Sequence, residues 1–97
     1  MTQPLSLGRL FPGAFASDAG RAVSGVAFDS RKVLPGQVFV ALAGAKADGG
    51  RFIADAVAKG AVAVVSGQPR PVGLDGGVAF AQVDDPRLAL SLAAAQV

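Results

Sequence analysis

Histidine, cysteine, tryptophan and tyrosine are all missing from this 97-residue sequence, and its seven acidic residues are all aspartate. Without cysteine there are no disulfides, thiolate zinc sites or thiol nucleophiles. Without histidine, neither a Ser-His-Asp nor a Cys-His arrangement can be assembled. The aspartates are scattered except for Asp84 and Asp85. A complete active site, catalytic residues or a metal site are therefore not expected within these residues. The chain reads as a binding module.

Charge of one sign is also scarce. Nine basic residues stand against seven acidic ones, a net of +2. They are spread along the chain, and Arg31-Lys32 is the one adjacent basic pair. A nucleic-acid surface needs a clustered basic stripe, so nucleic acid is not an expected partner. No apolar run approaches the ~18–20 residues of a membrane span, and a membrane is not expected either. Met1 to Leu10 has one arginine and no long apolar stretch, unlike a secretory signal. A chain of this length buries roughly 60–65% of its unfolded surface, enough for one domain and one core.

What is present is a set of short apolar runs separated by turn chemistry. Leu5, Leu7, Leu10 and Phe11 before Pro12-Gly13 predict a short helical turn and a breaker. Residues 20–24 read as a loop and Gly25 to Asp29 as a short strand. Leu34-Pro35-Gly36-Gln37 fits a type II turn, with Pro35 presetting φ and Gly36 taking the positive φ that follows. Val38 to Leu42 then reads as a strand buried on both faces.

After a glycine-containing loop over 44–50, with Asp48 at a plausible helix start, residues 51–59 carry Phe52, Ile53, Ala56 and Val57 at helical spacing. Lys59 suits the helix C-terminus and Gly60 a left-handed cap. Ala61 to Val65 is the next strand, which makes residues 37–65 a βαβ unit with a right-handed crossover. Residues 67–77 form a loop and Val78 to Val83 a further strand. Asp85 as N-cap and Pro86 at the first helical position start a last helix, whose Leu88, Leu92 and Ala95 share a face. The sequence stops within that helix, as a truncated chain would. The expected fold is α/β: a small mixed sheet with flanking helices containing one βαβ unit.

Asp29-Ser30-Arg31, Pro35-Gly36, Phe39-Val40-Ala41, Gly44, Asp48-Gly49, Phe52-Ile53 and Gly60-Ala61 occur in that order, followed by Val83-Asp84-Asp85-Pro86-Arg87. This pattern resembles the amino-terminal domain of the Mur ligases, over about residues 22–95. Gly44 to Gly50 (GAKADGG) is closer to the branch that adds the third amino acid to UDP-MurNAc-L-Ala-D-Glu. The branch that adds the terminal D-Ala-D-Ala usually shows Gly-Glu-x-Phe-Asp-Gly-His there and is the alternative. A rival from another class is a free-standing nucleotide- or protein-interaction module.

The resemblance implies a division of labour. Residues 1–97 form a single UDP-sugar-binding amino-terminal domain. A central P-loop domain, absent from this chain, would bind ATP and Mg2+, and a carboxyl-terminal domain, also absent, would select the incoming amino acid, with meso-diaminopimelate expected. The reaction forms an acyl phosphate on the peptide carboxylate, which the new amine attacks, in cytoplasmic peptidoglycan synthesis. No G-x-x-x-x-G-K-[ST] occurs in this sequence, so no cofactor is expected in this domain. The partners implied are UDP-MurNAc-L-Ala-D-Glu and the remaining domains of the same ligase.

Carried over by position, UDP contacts fall at Phe28 and Ser30 after the first strand and at Ala45, Lys46 and Ala47 after the second. Open α/β sheets bind ligands beyond the carboxyl ends of strands, which agrees with this placement. Many relatives have histidine at the position of Ala45, so any contact from that side chain is lost here. Plainer roles stay open. Ser30 can close a turn through its own backbone. Arg31 and Lys32 can form a solvated turn, Lys46 can simply be exposed, and Asp48 can cap a helix. Phe28 and Phe39 read as core residues, with Phe28 also able to line a uracil site.

Overall fold

In the computed structural model the described residues are 5–15, 18–42 and 49–95. The apolar runs alternate in the pleat and so supply two buried faces. In β2 (Gln37–Ala41), Val38 and Val40 point to one side of the sheet and Phe39 to the other. In β3 (Ala63–Ser66), Ala63 and Val65 share the side of Val38, and Val64 joins Phe39. With β1 (Gly25–Ala27) and β4 (Ala79–Gln82) they form one four-stranded sheet in the order β1-β2-β3-β4.

Every pairing between these strands is parallel. The α/β expectation therefore holds, but the sheet is parallel rather than mixed, and the one antiparallel pairing among the described residues is an isolated bridge between Ser6 and Ala22, outside the named strands. Parallel strands buried on both sides read as continuous apolar runs, which is how Val38 to Ala41 and Ala63 to Val65 appear in the sequence.

Helices cover both faces. α1 (Leu7–Leu10) is capped by Ser6, whose Oγ accepts from the Arg9 N–H at 3.3 Å. It packs Leu7, Leu10, Phe11 and Phe15 on one face together with α3 (Pro86–Ala94). α2 (Gly49–Ala58) covers the other face with Ile53 and Ala56 against Phe39 and Val64. It is the crossover of the expected βαβ unit. Its end is a Schellman cap: Ala61 N–H donates to Ala56 O at 3.1 Å, Gly60 N–H donates to Val57 O at 3.0 Å, and Gly60 has φ 106°. The turn before β2 also forms as its residues imply, with Gly36 at φ 88° and Gln37 N–H donating to Leu34 O at 3.2 Å.

Two local readings change. β1 stops at Ala27, so Phe28 lies beyond the ladder and is 62% exposed rather than in the core. The shared face of Leu88, Leu92 and Ala95 is the exposed side of α3. Ala93 is fully buried, with Ala89 and Leu90 packed beside it. Away from the carboxyl ends of the strands, Arg21 ties the loop before β1 to the sheet, donating from Nη1 to Val62 O at 3.0 Å and to Gly77 O at 2.7 Å.

Candidate functional site

Where β1 and β2 end, the chain opens a cavity of about 510 Å³ lined by Phe28, Asp29, Ser30, Arg31, Phe39, Ala41, Leu42 and Phe52. Three sequence features place these side chains. Chain reversal after β1 runs through a single 3-10 turn (Ser30–Lys32), which carries Ser30 and Arg31 to one wall. The last residue of β2, Ala41, and Leu42 just after it stand at another wall, over the buried Phe39. Phe52, in the first half of α2, closes a third side and is 45% exposed.

The 3-10 turn is closed by Asp29. Its Oδ1 accepts from the Arg31 backbone N–H at 2.9 Å, as an N-cap does, and from Arg31 Nε at 3.1 Å. Its Oδ2 accepts from Arg31 Nη2 at 3.0 Å. These bonds and the guanidinium charge hold the Asp29 carboxyl at about 2, below its ordinary 3.8, and raise Arg31 in turn. Ser30 is therefore spared the turn-closing role left open by its sequence. It is 6% exposed, and among the described residues its Oγ has no hydrogen-bond partner. No buried side-chain oxygen or nitrogen among the described residues lacks a partner, so the Ser30 Oγ keeps access to the cavity, where a ligand can reach it.

Of the positions singled out by sequence, Phe28 and Ser30 come together on this cavity. Ala45, Lys46, Ala47 and Asp48 lie outside the described residues. Phe39 is core, 3% exposed, and also forms the cavity floor. Arg31 and Phe52 belong to the cavity without having been singled out as ligand contacts. For Phe52 a signal was available: neighbours on a helix point about 100° apart, so Ile53 in the core turns Phe52 toward the helix flank. For Arg31 the signal was the Asp-x-Arg spacing, which a two-residue fork requires.

Among the described residues no three His, Cys, Asp or Glu side chains gather. No helix among them is long and apolar enough to cross a membrane. The cavity offers apolar and aromatic walls, the Ser30 hydroxyl, the Arg31 guanidinium and the Asp29 carboxylate that pairs with it, groups whose chemistry can accommodate a flat polar ring and an anion.

The family profile described as "Mur ligase family, catalytic domain" matches residues 22–97. The chain is similar to the UDP-N-acetylmuramoyl-L-alanyl-D-glutamate–2,6-diaminopimelate ligase of Agrobacterium fabrum, 54% identical over 74 residues, covering 76% of this chain and 14% of the relative. The enzyme of the same name from Mesorhizobium japonicum is 50% identical over 91 residues, covering 93% of this chain and 18% of that protein. Among solved structures, MurF from Acinetobacter baumannii superposes with a TM-score of 0.69 at 28% identity, over 97% of this chain and 21% of that one. The chain thus spans between 14% and 18% of the length of these two curated relatives.

Proposed function

The chain belongs to the Mur ligase family, and on that premise we propose that it is the amino-terminal, UDP-binding domain of the ATP-dependent ligase that adds the third amino acid to UDP-MurNAc-L-Ala-D-Glu. Identity of 50–54% to proteins named as diaminopimelate ligases supports that branch. The 28% likeness to MurF is a weaker argument for the other. Diaminopimelate is accordingly the third residue proposed, within cytoplasmic peptidoglycan synthesis and cell-wall biogenesis.

The observation that carries the reading is the unpartnered hydroxyl of Ser30 on the wall of an aromatic cavity at the carboxyl ends of β1 and β2. Phe28 and Phe52 present open ring faces on which a uracil can lie, and Ser30 Oγ can donate to or accept from the nucleotide. Ala45, Lys46 and Ala47 are proposed as the second set of UDP contacts, on the segment that follows β2. ATP and Mg2+ belong to domains outside this chain; its own residues bind and orient the nucleotide end of the substrate and take no part in the chemical step.

Titration of the chain with UDP tests this. Binding is weak, and Ser30→Ala raises the dissociation constant by about 2- to 12-fold, the loss of one neutral hydrogen bond, with no fall in melting temperature. Resonance shifts confined to residues far from Phe28, Ser30 and Phe52 would sink the site assignment. A lowered melting temperature with unchanged affinity would return Ser30 to a structural role.

A further inference from the structure

Arg31 has a geometry that a solvated turn does not need. Its side chain is 84% exposed while that of its partner Asp29 is only 26% exposed, so the carboxylate faces the protein and the guanidinium faces out. Asp29 engages one edge of the guanidinium, through Nε at 3.1 Å and Nη2 at 3.0 Å. The opposite edge, with the two N–H groups of Nη1, has no partner among the described residues. Both Asp29 oxygens are occupied by these bonds and by the Arg31 N–H. A long, flexible cation has thus been fixed in place at the edge of the cavity, with its donors directed away from its counter-ion.

We propose that Arg31, held by Asp29, is an anion-contacting residue of the cavity and receives the phosphates of a uridine nucleotide whose base lies between Phe28 and Phe52. This rests on the UDP reading above and adds to it a residue and a chemical class of contact. The guanidinium is a planar fork that matches phosphate oxygens, and holding it beforehand removes most of the rotamer entropy that an exposed arginine loses on binding. Lys32, the next residue, lines a smaller neighbouring cavity of about 220 Å³ that shares Phe28 and Asp29 with the first. Arg31 lines the cavity that holds Ser30 and Lys32 lines its neighbour, so with Asp29 they carry a net positive charge around Phe28, which both cavities share. Asp29 acts through Arg31 and is a positioning residue.

The test compares uridine, which has no phosphate, with UDP. Calorimetry on the 97-residue chain gives UDP binding tighter than uridine binding. Arg31→Met weakens UDP by roughly 10-fold or more, the loss of a charge-assisted contact, and leaves uridine affinity unchanged. Asp29→Asn weakens UDP less and likewise spares uridine. UDP affinity unchanged in Arg31→Met, or uridine weakened as much as UDP, overturns the proposal. Should Arg31→Met fail to fold, nitrogen-15 spectra of the wild-type arginine side chains decide instead. UDP but not uridine shifts the Arg31 Nε–H resonance, and an unmoved resonance at saturating UDP overturns the assignment. Wild-type chain that binds neither ligand overturns the UDP reading and this proposal together, whereas binding of both with equal affinity overturns this proposal alone.

Discussion

The α-carbon of Pro35 lies 2.6 Å from where a β-carbon on Gly60 would stand. The turn that opens β2 and the cap that closes α2 are in backbone contact, and the Gly36 N–H donates to Gly60 O at 2.9 Å across it. Gly60 therefore answers two demands at once: a φ of 106°, and no side chain at all. This contact fixes the crossover of the βαβ unit and, through it, how Phe52 on α2 stands over the end of β2.

Gly60→Ala is expected to destabilise the fold by about 2–5 kcal/mol, combining left-handed strain with an overpacked backbone contact. Gly73 has φ 86° with open space where its β-carbon would be, so Gly73→Ala carries the strain alone, about 1–2 kcal/mol. Urea unfolding of the two variants separates strain from contact. Equal losses would mean that the Pro35 contact yields without cost.

The orientation of α3 predicts a contrast between adjacent residues. Leu92 is 60% exposed and Ala93 is fully buried. Leu92→Glu should change stability by less than about 0.5 kcal/mol, as at most exposed positions. Ala93→Leu should cost about 1–3 kcal/mol by overpacking between α3, α1 and the sheet. Thermal melts of both variants check this, and the reverse ranking would place the leucine stripe against the core.

The same helix depends on its N-cap, Asp85. Asp85 Oδ1 accepts from the Leu88 N–H at 3.1 Å, with Pro86 at the first turn. Asp85→Ala should cost about 0.5–2 kcal/mol, and Asp85→Asn should recover most of it. Because α3 buries mainly small side chains, its amides should exchange faster than those of Val64 and Val65, and faster still in Asp85→Ala. Unchanged exchange at Leu90 to Ala93 in that variant would refute the cap's role.

Acid should act on the Asp29–Arg31 fork in a defined window. The Asp29 carboxyl sits at about 2 when folded against an ordinary 3.8. A depressed carboxyl contributes stability that is complete above its unfolded value and is lost as pH falls toward the folded one. The difference between wild type and Asp29→Asn should therefore be flat from neutral pH down to about 5 and shrink between about 4 and 2. Carbon-13 titration of the Asp29 carboxyl gives the midpoint directly. A midpoint near 3.8 would mean that the fork is open in solution.

Sequence alone determined the features governed by neighbours within a few residues. Pro35-Gly36 set a turn because one residue presets φ and the next accepts a positive φ. Lys59-Gly60 ended a helix and Asp85-Pro86 began another, by capping rules that act within one turn. The two apolar runs around Phe39 and Val64 specified buried strands, and the helix between them specified the crossover. Tertiary structure decided what depends on distant parts of the chain. Leu88 and Leu92 form an apolar stripe at helical spacing, yet α3 turns Ala93 inward, into the core it shares with α1, Val38 and Ala63. Phe28 left the core because β1 ends at Ala27, two residues before the expected Asp29, a boundary set by its pairing with β2. Arg31 and Phe52, 21 positions apart in sequence, share a cavity only because the crossover returns α2 over the end of β2. Side-chain spacing fixes local conformation through short-range sterics and hydrogen bonds. Which surfaces meet is fixed by packing, and it is packing that brought the Ser30–Arg31 turn, the Phe39 strand and Phe52 of α2 around one cavity.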